Sequence, residues 1–424
     1  MYERLVWTLP KACRGPAKSV AGWVLRCFAA SLRIPPSAKR RLARALSFRY
    51  RKVAEALNAI PEARLKRCVL FLSLRPHTRE AKFAEAARLA GWQPLLVHTE
   101  KLNFDANKYF QFHAQAGGLL HLLLISWLFP GPLIHLFAPD GAQAYLLCVT
   151  KIRPLLLDLN DTCKSHALQS LPRVWEQCER DAIRAADGMT HRDLRVKYLH
   201  ELYGYPLPRH NLLFMDLLPE VSPRLSEPRR AGEIHVVSVG WVGKGDSSIL
   251  RTIHALCADG IHVHMYVNPM QRETDPEIEA YWKLQQQSEY FHFEKPVFGE
   301  AYWEQLNRYD FGLSVSEPLV FGETPTSLTV DSLRGAGSSR LMDYLLVGLG
   351  IIISPGLEFQ WFLARRYALV TVPVTREFLK SPRSTLELAL QKKAKAVMKN
   401  LAAITTRGVA RRLGEFYSKV ALRG

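Results

Sequence analysis

From Cys68 onward the chain alternates short apolar runs with longer amphipathic stretches. Cys68–Leu74 (CVLFLSL) predicts a buried strand. It is followed by the polar loop Arg75-Pro76-His77-Thr78, a helix over Arg79–Ala90, Gly91, and a strand over Pro94–His98. The alternation continues with strand Leu133–Phe137, helix Gly141–Lys151, strand Pro154–Leu159, helix Val174–Ala186 and a last strand at Asn211–Phe214. Pro219–Gly232 (PEVSPRLSEPRRAG) interrupts it with three prolines, a glycine and two serines, the composition of a linker. Strands at Ile234–Val239, Ile261–Val267, Phe311–Val315, Ile351–Ser354 and Ala368–Val372 then resume. Helices at Ser248–Asp259, Pro276–Gln287 and Ser339–Val347 lie between them. Two βα halves around one linker predict an α/β protein: two doubly wound domains, 61–218 and 233–375, facing a cleft. Residues 1–60 read as an amphipathic helical extension with Leu42, Leu46, Val53 and Leu57 near helical spacing. Residues 376–424 read as a helical tail, helical over Thr385–Val420.

The most apolar window, Gly117–Ala138, contains His121 and His135 and is split by Pro130-Gly131-Pro132. Leu119–Phe129 is too short to cross a bilayer core of about 30 Å, so a buried or interfacial helix followed by a core strand is expected. Lys11, Arg14, Lys18 and Arg26 interrupt the N-terminal apolar stretches, against a secretory signal. Composition adds a folded, globular class, with 48% hydrophobic and 23% charged residues. Charge adds more. The net formal charge is +18, and it is concentrated at the ends. Residues 1–60 hold 13 basic and 2 acidic side chains, and residues 376–424 hold 12 and 3. The body between is close to neutral. Cationic ends suit nucleic-acid phosphate, an anionic membrane surface or an anionic substrate, or are simply solvated helix faces. Seven cysteines (13, 27, 68, 148, 163, 178 and 257) show neither CxxC pairing nor zinc-ligand spacing, and most sit among apolar residues as reduced core thiols. A reducing, cytoplasmic setting is expected.

In doubly wound sheets ligands bind beyond the carboxyl ends of the strands, so the loops there are the place to look for chemistry. Gly335–Gly356 (GAGSSRLMDYLLVGLGIIISPG) is the most informative segment: a Gly/Ser loop opens a helix that leads through Gly348 into a buried strand. Free N–H groups at the helix start, with the Ser338 and Ser339 hydroxyls and Arg340, form an anion site. Asp343 suits vicinal hydroxyls such as those of a ribose. An ordinary capped helix, with Asp343 near its positive end, is the alternative. GSSRLMDYLLVGLGIIIS resembles the donor-site helix of GT-B glycosyltransferases, built from two Rossmann-like domains, and in particular the family-4-like group. The resemblance implies that Ser338, Ser339 and Arg340 bind the donor diphosphate and Asp343 the ribose. The sequence departs from the family at Gly350, where proline is customary, and at Gly335, where the first glutamate of a paired acidic motif is usual.

Val236–Lys244 (VVSVGWVGK) is similar to the strand and glycine turn that open the family's donor domain, which implies a phosphate-side role for Gly240 and Lys244. By the same resemblance Glu317, in a loop that also holds Glu323, reaches the sugar or ribose, and Phe293–Phe298 lies where the nucleobase is received. In the first half, Asp158-Leu159-Asn160-Asp161 ends a strand before Lys164, Ser165 and His166. Carboxylates at that edge are poorly solvated and need partners. Asp161 is the candidate beside the reacting centre, with Asp158 and His166 behind it; an N-cap role for Asp161 is equally open. Arg75, His77 and Arg79 would line the acceptor side, and the two arginines suit an anionic acceptor. No metal site and no cofactor are expected: His262 and His264 merely alternate on a strand.

These readings combine into a glycosyltransferase that uses a nucleoside diphosphate sugar and is retaining and metal-independent. It would act at the inner membrane face on a lipid-linked or envelope-glycan acceptor, and would not bind nucleic acid. A GT-B scaffold without activity, and a nucleic-acid or anionic-surface binding protein, are the competing classes.

Overall fold

The computed structural model describes residues 11–46, 51–138, 141–159, 162–165, 173–218, 232–240, 249–267, 278–297, 300–325, 328–397 and 400–422. Asp161, His166, Lys244 and most of the Pro219–Gly232 segment lie outside them. Two parallel sheets organise the rest. The first contains β1 (Cys68–Ser73), β2 (Gln93–His98), β3 (His113–Gln115), β4 (Leu133–Ala138), β5 (Leu155–Leu159), β6 (Gly188–His191) and β7 (Asn211–Leu213), in the order β3-β2-β1-β4-β5-β6-β7. The second contains β8 (His235–Gly240), β9 (His262–Val267), β10 (Phe291–Glu294), β11 (Phe311–Ser314), β12 (Gly350–Ile353) and β13 (Thr371–Pro373), in the order β10-β9-β8-β11-β12-β13. β1, β4 and β5 are buried along their whole length, which is why they read as unbroken apolar runs rather than as alternation. β3 (HAQ), β6 (GMTH) and β10 (FHFE) escape sequence reading because each is short and carries polar residues, whereas the equally short β12 (GIII) is an apolar run. In each sheet the strand order reverses beside the first strand, between β1 and β4 and between β8 and β11. The loops after those strands therefore open onto a crevice.

The expected tail is two separate helices. Pro382–Ala394 packs on the second sheet. Thr406–Ala421 lies against the Thr78–Leu89 helix, with Leu413, Tyr417 and Val420 buried in the core of the first sheet. The chain thus returns to its first half, and Leu218 pairs with Thr405 where it does so. Part of the terminal charge is structural. Arg383 donates to the carbonyls of Gly232 and Gly260, and half-buried Lys393 donates to Asp310 O at 2.9 Å. Desolvation pushes the Lys393 pKa down to about 8.

At the other end, Lys11–Ser31 packs on the Arg173–Ala185 helix, and Arg26 is paired with Asp181. Pro36–Ala45 covers Leu119–Leu128, and its buried Lys39 donates to Thr150 O at 2.7 Å. The apolar window is therefore a covered helix followed by β4, and no described helix is long and apolar enough to cross a membrane. Of the cysteines whose side chains are described, Cys68, Cys148, Cys163, Cys178 and Cys257 are buried thiols and Cys27 is exposed.

Candidate active site

Helix Ser339–Leu346 opens at the crevice. Ser338 is its N-cap, and its hydroxyl oxygen accepts from Leu341 N at 3.4 Å, so that lone pair is committed to the helix while the hydroxyl proton is not. Ser339 is exposed at the mouth. Gly240 ends β8 with φ +99, and a Cβ placed there would come within 4.0 Å of Arg340 Nη2. The guanidinium and Gly240 therefore lie side by side, and it is the positive φ that favours glycine at 240. The arrangement leaves backbone, helix N-terminus and one cation around a single space, the combination that favours phosphate.

Asp343 stands one turn further along and is largely enclosed. Burial raises its pKa to about 6, although Lys82 and the Tyr302 hydroxyl, which donates at 2.8 Å, oppose the rise. Asp343 feels Lys82 and Asp216 of the first half, so it faces the crevice between the sheets. Tyr302 and Lys82 carried no sequence signal as site residues: each is one polar group on an otherwise ordinary amphipathic helix.

The Gly-rich loop itself is a point of close approach between the halves. A Cβ on Gly335 would meet Tyr198 Cδ2 at 2.6 Å and the Arg195 backbone N at 2.9 Å. Leu194 N donates to Gly335 O, and Gly337 N donates to Asp193 Oδ2 at 3.0 Å. This explains why glycine stands at 335, where the resemblance leads one to expect glutamate: no side chain fits. Tyr198 donating to Glu358 and Tyr203 donating to Asp331 extend the same contact.

On the first-sheet side, Arg79 and Asp158 find each other. Arg79 Nε and Nη2 donate to the two Asp158 oxygens at 2.9 and 2.8 Å, and Nη1 lies 3.4 Å from Asp216. Both side chains are buried. Arg79, expected to line the acceptor side, instead neutralises a carboxylate at the carboxyl end of β5, and Asp158 is held as its counter-ion. The pairing supplies the partner that a buried carboxylate needs. A proton chain continues behind them. The Thr190 hydroxyl donates to Asp158, and His135 bridges Thr190 at 3.1 Å and Tyr417 at 2.8 Å. Burial and the nearby Arg79 lower the His135 pKa well below its ordinary value, so His135 is neutral. The roles then follow: Tyr417 O–H donates to Nδ1, and Nε2–H donates to Thr190.

Arg75 remains at the mouth, 3.7 Å from Glu100, and His77 is exposed beside it. Partial desolvation of the ring, with Arg75 and Arg192 nearby, lowers the His77 pKa. Beneath them Glu80 accepts from the Ser73 hydroxyl at 2.6 Å and from His77 N at 3.0 Å, and burial lifts its pKa to about 7. Glu80 thus closes a capping box on His77, the N-cap of the Thr78–Leu89 helix, where serine or threonine is usual. Burial alone would raise the pKa of Asp216; the cations Arg192, Arg79 and Lys82 hold it below its usual value. The crevice wall is therefore cationic, with its carboxylates compensated.

Glu317 does not open onto that space. Buried, it accepts from Thr252 N at 2.7 Å and from Arg251 Nε at 3.1 Å, which caps the helix Leu250–Ala258. Exposed Glu323 takes the rest of the Arg251 guanidinium at 2.7 Å. Of the Phe293–Phe298 stretch, Phe293 is core, packed on Trp282.

No family model and no curated protein matches the sequence. Its fold, however, is shared with solved structures. A glycosyltransferase from Rickettsia africae is similar over 84% of this chain and 96% of its own, with TM-score 0.53 and 10% identity. Anabaena HepE, solved with UDP-glucose, is similar over 84% and 98%, with TM-score 0.52 and 13% identity. Two parallel doubly wound sheets facing across a crevice, matched over nearly the whole of these relatives, give this chain the GT-B fold of glycosyltransferases.

Proposed function

We propose that the protein transfers a glycosyl unit from a nucleoside diphosphate sugar to an acceptor hydroxyl in the crevice between the sheets. The observation that carries this is Arg340, placed against Gly240 at the start of helix Ser339–Leu346, with Asp343 and Tyr302 one turn beyond. The guanidinium and helix N–H groups would neutralise the leaving diphosphate as the glycosidic bond breaks. The Asp343 carboxylate would accept from the ribose hydroxyls, and the Lys82 ammonium, on the first-half wall, would complete the charge balance. Lys244 remains the second phosphate ligand in this reading, and Asp161 the group beside the reacting carbon, with His166 behind it. The mechanism is taken as metal-independent, because protein cations can meet the charge that develops, and as retaining by the family resemblance. HepE was solved with UDP-glucose, which makes a UDP-sugar the first donor to try.

The acceptor is proposed to be lipid-linked or an envelope glycan, reached by a protein peripheral to the inner membrane face. Support comes from the first described helix. Val20, Trp23, Val24 and Phe28 form an exposed apolar stripe at i, i+3, i+4 and i+8, with Trp23 65% exposed, and Arg33, Arg40, Arg41 and Arg44 are exposed nearby. Turnover of a nucleotide-sugar panel, with Asp343→Ala as control, tests the proposal. Donor hydrolysis lost in the variant supports it, whereas no binding and no turnover by the parent protein leaves the competing reading of an inactive scaffold.

A further inference from the structure

Four histidines of the second sheet lie together far from the crevice. His235 opens β8, His262 opens β9, His264 follows two residues on, and His292 stands on β10. Register places His235 opposite His262 and His264 opposite His292, so all four rings share one face. The rings of His235 and His262 are stacked at 4.7 Å with planes 13° apart, and those of His264 and His292 at 4.4 Å. Glu233 approaches at one end and Glu294 at the other.

The hydrogen bonds fix which nitrogen of each ring is left over. His264 Nδ1 lies 2.9 Å from Glu294 Oε1, and a carboxylate can only accept, so His264 carries its proton there. Its Nε2 is then the acceptor in the 3.0 Å contact with His235 Nδ1, and His235 donates. That leaves His235 Nε2 with a lone pair, 3.2 Å from Glu233 Oε2, which also has only lone pairs. With the rings neutral, two acceptors face each other there, and a cation between them would satisfy both. Next to them, the Nδ1 of His262 is engaged by His292 Nε2 at 3.0 Å, which directs its Nε2 elsewhere. Ligand atoms of Glu233, His235 and His262 all lie within 4.8 Å of one another. Ligands about 2.0–2.1 Å from a tetrahedral zinc ion stand roughly 3.3 Å apart, so the Glu233–His235 pair is already at coordinating distance and His262 needs a shift of at most about 1.5 Å.

We propose that Glu233, His235 and His262 bind a divalent transition-metal ion, zinc by ligand type, with His264 and His292 as the outer groups that set the ligand tautomers. Two imidazoles and a carboxylate match zinc, and a ligating histidine that hands its other nitrogen to a further acceptor is the arrangement that orients metal ligands. The site has no part in glycosyl transfer. His235 begins the strand that Gly240 ends, roughly 17 Å away at strand rise. Its effect is mechanical: Glu233 is the second residue before β8, so the ion ties the end of the segment joining the two sheets to β8 and β9. The ligands come from two places, Glu233-x-His235 at the start of β8 and His262 at the start of β9, and that spacing matches no familiar zinc motif in the sequence.

The test uses the full chain, stripped with a chelator and titrated with Zn2+ against a chromophoric competitor, and with Co2+ for its visible ligand-field bands. One saturable site per chain is expected, with a rise in Tm. His262→Gln should abolish it, exposed Glu233→Gln should weaken it at least tenfold, and His292→Asn should weaken it about 10- to 100-fold by loosening a ligand. His254→Gln, an exposed histidine of the same half, should bind as the parent does. Thermal unfolding without metal establishes that each variant is folded. No saturable uptake, or uptake unchanged in both His262→Gln and Glu233→Gln, overturns the site. So does a Tm that follows pH alone in the parent, since a proton would then be the cation between His235 and Glu233.

Discussion

At the scale of single residues the cleft carries chemistry that costs stability. Asp343 has a folded-state pKa of about 6, above its ordinary 3.8, so it is stabilising in its protonated form. That contribution is complete below the unfolded pKa and is lost as pH rises through about 6. Asp343→Asn keeps an oxygen for the Tyr302 hydroxyl and carries no charge. We expect it to be more stable than the parent by about 1–2 kcal/mol at pH 7.5, with the gap closing near pH 4, while donor affinity falls at least tenfold. Urea unfolding at both pH values checks this, and an equal gap at both would contradict the assigned cause. Burial explains what the sequence could and could not show here. The place of Arg340 and Asp343 in the first turns of a helix was legible because a Gly/Ser loop marks a helix start; their donor role belongs to the proposal. Arg79 and Glu317 were misjudged because a charged residue in a loop looks the same whether it meets solvent, ligand or a buried counter-ion. The Arg79–Asp158 pair spans 79 residues of sequence, and no local pattern encodes it.

Individual elements show the same division. The apolar strands β1, β4 and β5 were legible as unbroken apolar runs, and the helix that follows Gly337 by its Gly/Ser loop and its helical period. The C-terminal helix Thr406–Ala421 was read correctly as helical and basic, but its buried face serves the first sheet, not the second. Tyr417 is the detail that makes this testable. Tyr417→Phe removes the donor to His135 Nδ1 and leaves a buried imidazole nitrogen unpaired, which should cost about 1–3 kcal/mol in urea unfolding. A cost below about 0.5 kcal/mol would mean that the chain from Tyr417 to Asp158 does not hold this helix. Gly335→Ala tests the contact between the halves: its Cβ at 2.6 Å from Tyr198 and 2.9 Å from the backbone of Arg195 should cost about 1–3 kcal/mol. Hydrogen exchange should then rise in Arg195–Tyr203 and Val330–Gly335 together; a rise in neither would contradict that packing.

At the scale of the whole molecule, two parallel sheets meet at a cationic crevice, and the surplus charge at the chain ends divides into cations built into the fold and arginines exposed beside an apolar helix stripe. The proposed membrane role rests on the second group. Trp23→Ser with Phe28→Ser should cut co-flotation with anionic vesicles several-fold without altering donor binding, and raised salt should weaken the parent's binding. Flotation unchanged in the double variant would move the contact elsewhere. The central claim is the donor site. Its most direct test is calorimetric titration with UDP, GDP, ADP and CDP, comparing the parent with Arg340→Ala. The account predicts that one diphosphate binds at a single site and that Arg340→Ala weakens it at least tenfold, about 1.4 kcal/mol, with little change in Tm. No binding of any of the four, or equal affinity in the variant, would contradict it.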